Sequence, residues 1–212
     1  MSGDRERILG MAKDAYPYLI PLFLLGVLLA VLGFRGWALV FFLAGGFVAF
    51  FFRDPERAIP NDVQAVVSPA DGKIVSILKE PDQGLRVSIF LSIFNVHINR
   101  APIGGTIESV HYVPGKFKIA LDAAASLENE QNVVVIKDGS SQLKFSQIAG
   151  ILARRIVCWK ARGDRVVKGE RVGLIKFGSR VDLFLPETVQ LMVKEGDHVK
   201  GGSSVIGRFK NV

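Results

Sequence analysis

Two apolar runs stand near the N-terminus. YLIPLFLLGVLLAVLGF covers Tyr18–Phe34 and WALVFFLAGGFVAFFF covers Trp37–Phe52, with Arg35-Gly36 between them. Both runs are apolar on every face, which argues for lipid rather than for packing on a soluble core. As helices each would span roughly 25 Å at ~1.5 Å per residue, slightly short of a hydrocarbon core of about 30 Å. They read as a hairpin that either crosses the bilayer or dips into one leaflet. A cleavable signal peptide fits poorly, because the second run follows at once and no Ala-x-Ala-like site precedes the polar part. Arg5, Arg7 and Lys13 precede the first run, Arg53 and Arg57 follow the second, and only Arg35 lies between. The positive-inside rule then places both ends on the cytoplasmic side.

Residues 53–60, RDPERAIP, form a charged, proline-containing linker. Beyond it, residues 61–212 change character. Short β-rich runs such as VVSPADGKIVSIL, LRVSIFLSIFNVHINRAP, NVVVIKD and VDLFLP alternate with Gly, Asp, Asn and Pro. This spacing predicts a mainly β domain. A short helix near Leu121–Leu127 is the only helix expected there. A weak repeat joins GDRVVKGERVGLIKF, from Gly163, to GDHVKGGSSVIGRF, from Gly196, and SPADGKIVSI is a shorter relative. Such turn-then-strand phrases suit a flattened barrel or barrel-sandwich. The expected chain is a hydrophobic hairpin at 1–52, a linker, and a soluble β domain.

The formal net charge of +7 favours an anionic partner. No helix-turn-helix, zinc spacing or RNA-binding signature is present, so the reading is a membrane surface and not nucleic acid. The single cysteine, Cys158, excludes an intrachain disulfide and reads as a small buried hydrophobe. No Walker, dinucleotide or metal-ligand motif appears.

Three histidines are available: His97, His111 and His198. If FNVHIN is one continuous strand, alternation puts Asn95, His97 and Asn99 on a polar face and Phe94, Val96 and Ile98 on the other. His97 is then either a solvated side chain or a general base. His111 is a candidate for the same surface, and His198 reads as a solvated turn residue. Asp71, before Gly72, is a hairpin-turn residue by default and a histidine-orienting carboxylate in the functional reading. Gly178-Ser179 is by default a turn. With a base nearby, Ser179 can act as a nucleophile, though the Gly-x-Ser-x-Gly elbow is absent.

Five phrases in fixed order resemble the short form of the phosphatidylserine decarboxylase proenzymes. They are FFRDPER, VVSPADGKIV, IFLSIFNVHINRAPIGGTI, QIAGILARRIV and GERVGLIKFGSRVDLFLP. The resemblance implies self-cleavage between Gly178 and Ser179. Ser179 becomes a pyruvoyl group, a covalent cofactor that forms a Schiff base with the amine of phosphatidylserine. It implies a β chain, 1–178, and an α chain, 179–212, that stay together as a heterodimer; the family is often dimeric beyond that, and the sequence does not give the oligomeric state. It assigns Asp71 and His97 to self-cleavage. The long form of the family carries a second histidine where this chain has Phe94, so His111 is a substitute candidate for the proton donor. Where the family favours Asn-Glu-Arg, this chain has Asn129-Glu130-Gln131.

A pyruvoyl group answers a chemical need, since decarboxylation beside an amine leaves a carbanion that ordinary side chains cannot delocalise. Arg53, Arg57, Arg100, Lys116 and Lys118 are candidates to meet the phosphodiester or anionic head groups, with Arg100, His111 and Phe94 set nearest the substrate. The plasma membrane is the expected location, with the catalytic domain on its cytoplasmic side. Two other readings stay open on the residues alone: a non-catalytic barrel-sandwich carrier, and a serine hydrolase using Ser179, His97 and Asp71.

Overall fold

The computed structural model describes residues 7–81, 84–116, 128–139, 141–150, 155–176 and 179–210. The expected helix at 121–127, Lys118 and Gly178 lie outside the described residues. The chain divides into two units, Met1–Glu56 and Arg57–Val212.

The first unit opens with a short ladder, β1 (Arg7–Ile8) against β2 (Met11–Ala12). Helices α1 (Tyr16–Val31) and α2 (Arg35–Phe51) follow. Pro17 starts α1 where its missing N–H costs nothing. Gly33, at φ 86°, turns the chain between the helices. Gly26 allows them to approach: a Cβ there would lie 2.8 Å from the Phe42 ring. Most large side chains on both helices are exposed, among them Phe23, Leu28, Trp37 and Leu43. Helical residues Lys13–Val31 number 19 at mean hydropathy 1.8, long and apolar enough to cross a membrane, whereas α2 falls short of that length.

The second unit is mainly β, with strands β3 (Ala65–Val67), β4 (Gly72–Glu80), β5 (Gly84–Leu91), β6 (Ile98–Arg100), β7 (Gly105–Val113), β8 (Gln131–Asp138), β9 (Ser141–Ala149) and β10 (Ile156–Cys158). They continue as β11 (Arg165–Val166), β12 (Arg171–Ile175), β13 (Ser179–Leu185), β14 (Val189–Leu191), β15 (His198–Val199) and β16 (Val205–Phe209). An eight-stranded antiparallel sheet in the order β11-β7-β8-β9-β13-β5-β4-β15 curls into a half-barrel. Two three-stranded sheets, β10-β12-β6 and β14-β16-β3, accompany it. Val87, Ile89, Leu91, Phe145, Val181, Leu183 and Ile206 meet in one apolar core.

The weak repeat is a repeat of structure. Gly163 and Gly196 take φ 92° and 93°, and Gly169 and Gly202 take 77° and 78°. Asp164 accepts the Ala161 amide at 2.8 Å, and Asp197 accepts the Lys194 amide at 3.0 Å. The two-residue strands that follow, β11 and β15, close opposite edges of the large sheet. β11 pairs with Gly105-Thr106 and β15 with Gly72-Lys73. The strands they meet begin with related phrases, SPADGKIVSI at 68–77 and APIGGTIESV at 101–110. Both strands shift register at the same offset, between Ile74 and Ser76 and between Ile107 and Ser109. In this correspondence Asp71 matches Gly104, and Gly201 matches Lys168.

Two expectations are corrected. The segment 92–97 is not strand. Asn95 Oδ1 accepts from the Ser92 amide at 2.9 Å and its hydroxyl at 2.8 Å, which folds the chain into a turn. Alternation therefore fails: Phe94 is 66% exposed while Val96 and His97 are buried. Asp71-Gly72 is not a hairpin tip either, since Gly72 is the first residue of β4.

Candidate active site

Ser179 begins β13, which lies between β9 and β5 in the large sheet. Its neighbours across the ladder are Ala149 and Leu91. By strand alternation its side chain shares the core face with Val181 and Leu183. Ser179 is 0% exposed, and its Oγ has no hydrogen-bond partner among the described residues. A buried hydroxyl without a partner costs about 1–3 kcal/mol, so a turn serine has no reason to sit there.

His97 is 2% exposed and sits just before β6. Its carbonyl accepts the Ile175 amide at 3.3 Å, at the end of β12 and four positions ahead of Ser179. Its Nδ1 lies 3.0 Å from the Asn95 carbonyl. A carbonyl only accepts, so Nδ1 carries the hydrogen, and Nε2 is the basic nitrogen of the neutral ring.

Asp71 lies at the same end of the sheet. Arg180 stands opposite Phe90, and Phe90 opposite Lys73 on β4. Asp71, two residues before Lys73, is thus about two strand spacings, roughly 10 Å, from Ser179 along the backbone. Its Oδ1 accepts the Gly201 amide at 2.8 Å and Arg57 Nη2 at 2.9 Å. Its Oδ2 accepts the same Arg57 nitrogen at 2.7 Å. Nothing in the sequence reading foresaw this clamp. The signal available was the mismatch of Asp71 with Gly104 in the two related phrases.

Arg57, expected at lipid head groups, is instead committed to Asp71. Arg100 is 5% exposed and donates to the Gly169 carbonyl at 3.0 Å. Lys116 pairs with Glu128 at 3.0 Å, and Arg53 lies 3.8 Å over the Phe50 ring. His111 is exposed on β7. The register runs from His111 through Val133 and Ser146 to Asp182. That places His111 three strands from β13, roughly 14 Å away, and not beside Ser179. His198 is exposed on β15, as expected of a solvated residue. Phe94 stands exposed at the turn that follows β5.

Three sets of buried polar contacts escaped the sequence reading. Arg180 and Asp182 form an ion pair, Nε to Oδ1 at 2.9 Å, with side chains 4% and 1% exposed. Asn132, Gln147 and Asn99 form a buried chain: Asn132 donates to Gln147 at 2.9 Å, and Gln147 to Asn99 at 2.8 Å. Asn129 donates to the Ala149 carbonyl at 2.7 Å, tying the segment before β8 to the residue opposite Ser179. Cys158 is half-buried and donates to the Lys160 carbonyl, and burial pushes its thiol above the ordinary value.

Residues 44–207 match the sequence profile described as Phosphatidylserine decarboxylase. The chain belongs to the phosphatidylserine decarboxylase family. A curated relative from Chlorobium chlorochromatii, a "Phosphatidylserine decarboxylase proenzyme", is 50% identical over 82% of this chain and 83% of its own length. A proenzyme of the same name from Ralstonia pickettii is 42% identical over 94% of this chain and 95% of its own length. Another, from Symbiobacterium thermophilum, is 45% identical over 99% of both. Family membership makes the chain a decarboxylase, a carboxy-lyase, of the kind made as a proenzyme.

Proposed function

We propose that the chain cuts itself at Gly178-Ser179 and then decarboxylates phosphatidylserine to phosphatidylethanolamine and carbon dioxide. The observation that carries this reading is Ser179, wholly buried at the head of a central strand with no hydrogen-bond partner among the described residues. In self-cleavage, Oγ gives its proton to Nε2 of His97 and attacks the Gly178 carbonyl carbon. The amide nitrogen of residue 179 takes up a proton and leaves as the ester forms. Asp71 stabilises the positive charge that builds on His97. Loss of the Cα proton of residue 179 then breaks the Cβ–Oγ bond and releases the Gly178 carboxylate. The resulting dehydroalanine takes up water and gives off ammonia, which leaves a pyruvoyl group.

The site suits that group, because Leu91, Ala149 and Val181 surround residue 179 with apolar side chains and no bonded partner has to be displaced. A pyruvoyl carbonyl supplies the electron sink for decarboxylation. The chain's own residues hold it: β13 keeps both ladders, to β5 and to β9, so the α chain stays bound to the β chain. Phe94 meets the lipid's acyl chains at the rim. The hairpin anchors the enzyme in the cell membrane, with the catalytic unit on the cytoplasmic side.

Intact mass spectrometry tests this. The wild type is expected as two fragments, 1–178 and 179–212, the smaller with a blocked, carbonyl-reactive N-terminus. Ser179→Ala is expected as one inactive chain of 23.2 kDa. An uncut wild-type chain with full decarboxylase activity would falsify the reading.

A further inference from the structure

We propose that Arg57 is a positioning residue for self-cleavage, acting by holding the Asp71 carboxylate in one orientation. This rests on the reading above, in which Asp71 takes part in that reaction.

The geometry is specific. One guanidinium nitrogen of Arg57 reaches both Asp71 oxygens, at 2.7 and 2.9 Å, while the Gly201 amide reaches Oδ1 at 2.8 Å. The two side chains are only 10% and 13% exposed. A carboxylate offers about four acceptor sites. Three contacts fill two on Oδ1 and one on Oδ2, which leaves one site on Oδ2 for a donor in the reacting centre.

The internal repeat shows that a turn of this shape forms without the clamp. The second copy of the turn has Gly104 in place of Asp71 and Lys168 in place of Gly201. A Cβ on Gly104 would lie 3.5 Å from the Lys168 amide, so the same two backbone segments approach each other without a carboxylate. The matching main-chain bonds are kept, Gly202 N to Ser68 O and Gly169 N to Ala101 O, both at 2.8 Å. A desolvated ion pair is also a poor device for stability alone, since desolvation offsets most of its attraction. The clamp occurs only in the copy at the Ser179 end of the sheet. After cleavage, Gly201 belongs to the α chain, and Asp71 and Arg57 to the β chain. The clamp therefore also joins the two chains beside the new N-terminus.

The test is chemical rescue, read as the rate at which fragments 1–178 and 179–212 appear by intact mass. Arg57→Gly is expected to slow cleavage about tenfold to a hundredfold, the loss of one charge-assisted interaction. Millimolar guanidinium chloride should restore much of that rate, and equal sodium chloride should not. In Asp71→Asn/Arg57→Gly, guanidinium should restore nothing. Arg57→Lys, which keeps the charge on a shorter side chain without the rigid guanidinium plane, should cleave at an intermediate rate with an unchanged Tm, which covers the case in which Arg57→Gly does not fold. Wild-type cleavage rates in Arg57→Gly or Arg57→Lys, with Asp71→Asn blocked, overturn the positioning role. So does equal rescue in the Asp71→Asn background. Normal cleavage in Asp71→Asn overturns instead the reading on which the proposal rests.

Discussion

The carbonyl of His97 accepts the amide of Ile175 at 3.3 Å, which fixes the histidine backbone to the strand that leads toward Ser179. His97 and the segment that leads to Ser179 are thus held by one hydrogen-bonded connection. His97→Ala is expected to slow self-cleavage about a hundredfold or more, the usual worth of a positioned general base. His111→Ala is expected to leave both cleavage and decarboxylation within about twofold, because the register holds His111 roughly 14 Å from β13. Fragment mass and carbon dioxide release measure the two effects. Normal cleavage in His97→Ala removes that residue from the base role.

Phe94 is 66% exposed on a turn whose shape is set by Asn95 and Ser92. An exposed aromatic ring three residues beyond Leu91, the ladder partner of Ser179, suits the acyl chains of a lipid better than water. Phe94→Ser is expected to raise KM for phosphatidylserine in vesicles several-fold while sparing kcat on a short-chain, dispersed substrate. Equal losses on both substrates would assign Phe94 to the chemistry or to folding.

Arg180 and Asp182 share a nearly dry environment. Removing Asp182 takes from the buried Arg180 guanidinium a charge partner at 2.9 Å. Asp182→Ala is expected to destabilise the uncut Ser179→Ala chain by about 3–5 kcal/mol, seen as a large fall in Tm. A shift of only a degree or so would show that water reaches the pair.

Burial pushes the Cys158 thiol above its ordinary range. A raised pKa means less thiolate at any given pH, and the thiolate is the reactive form. Alkylation of native protein by iodoacetamide near neutral pH is expected to be much slower than in unfolded protein, and to rise as pH climbs. Fast alkylation at neutral pH would point to an activated thiol instead.

Periodicity and punctuation made much of the architecture legible. The apolar runs at Tyr18–Phe34 and Trp37–Phe52 became α1 and α2, displaced by one to three residues at their ends. The β-rich phrases became strands, and the Gly-Asp repeat became two matched turns. The strand alternation assumed across residues 94–99 failed, because a side chain of Asn95 competes with the ladder for the Ser92 amide. His97 was named from the sequence, but its burial and its tautomer were not, since both depend on neighbours that the fold supplies.

Local sequence by itself determined where apolar helices give way to strands, and which serine, histidine and aspartate stand in family-like phrases. These are local properties, set by side-chain polarity and backbone preference along a few residues. Only the tertiary structure decided that Ser179 is sealed in the core, that Arg57 faces Asp71 and not lipid, and that Gly201 completes the clamp. Those partners are separated by 14 and 130 positions along the chain. Their meeting depends on the register of the large sheet, which is fixed by core packing on its inner face and by no short stretch of sequence.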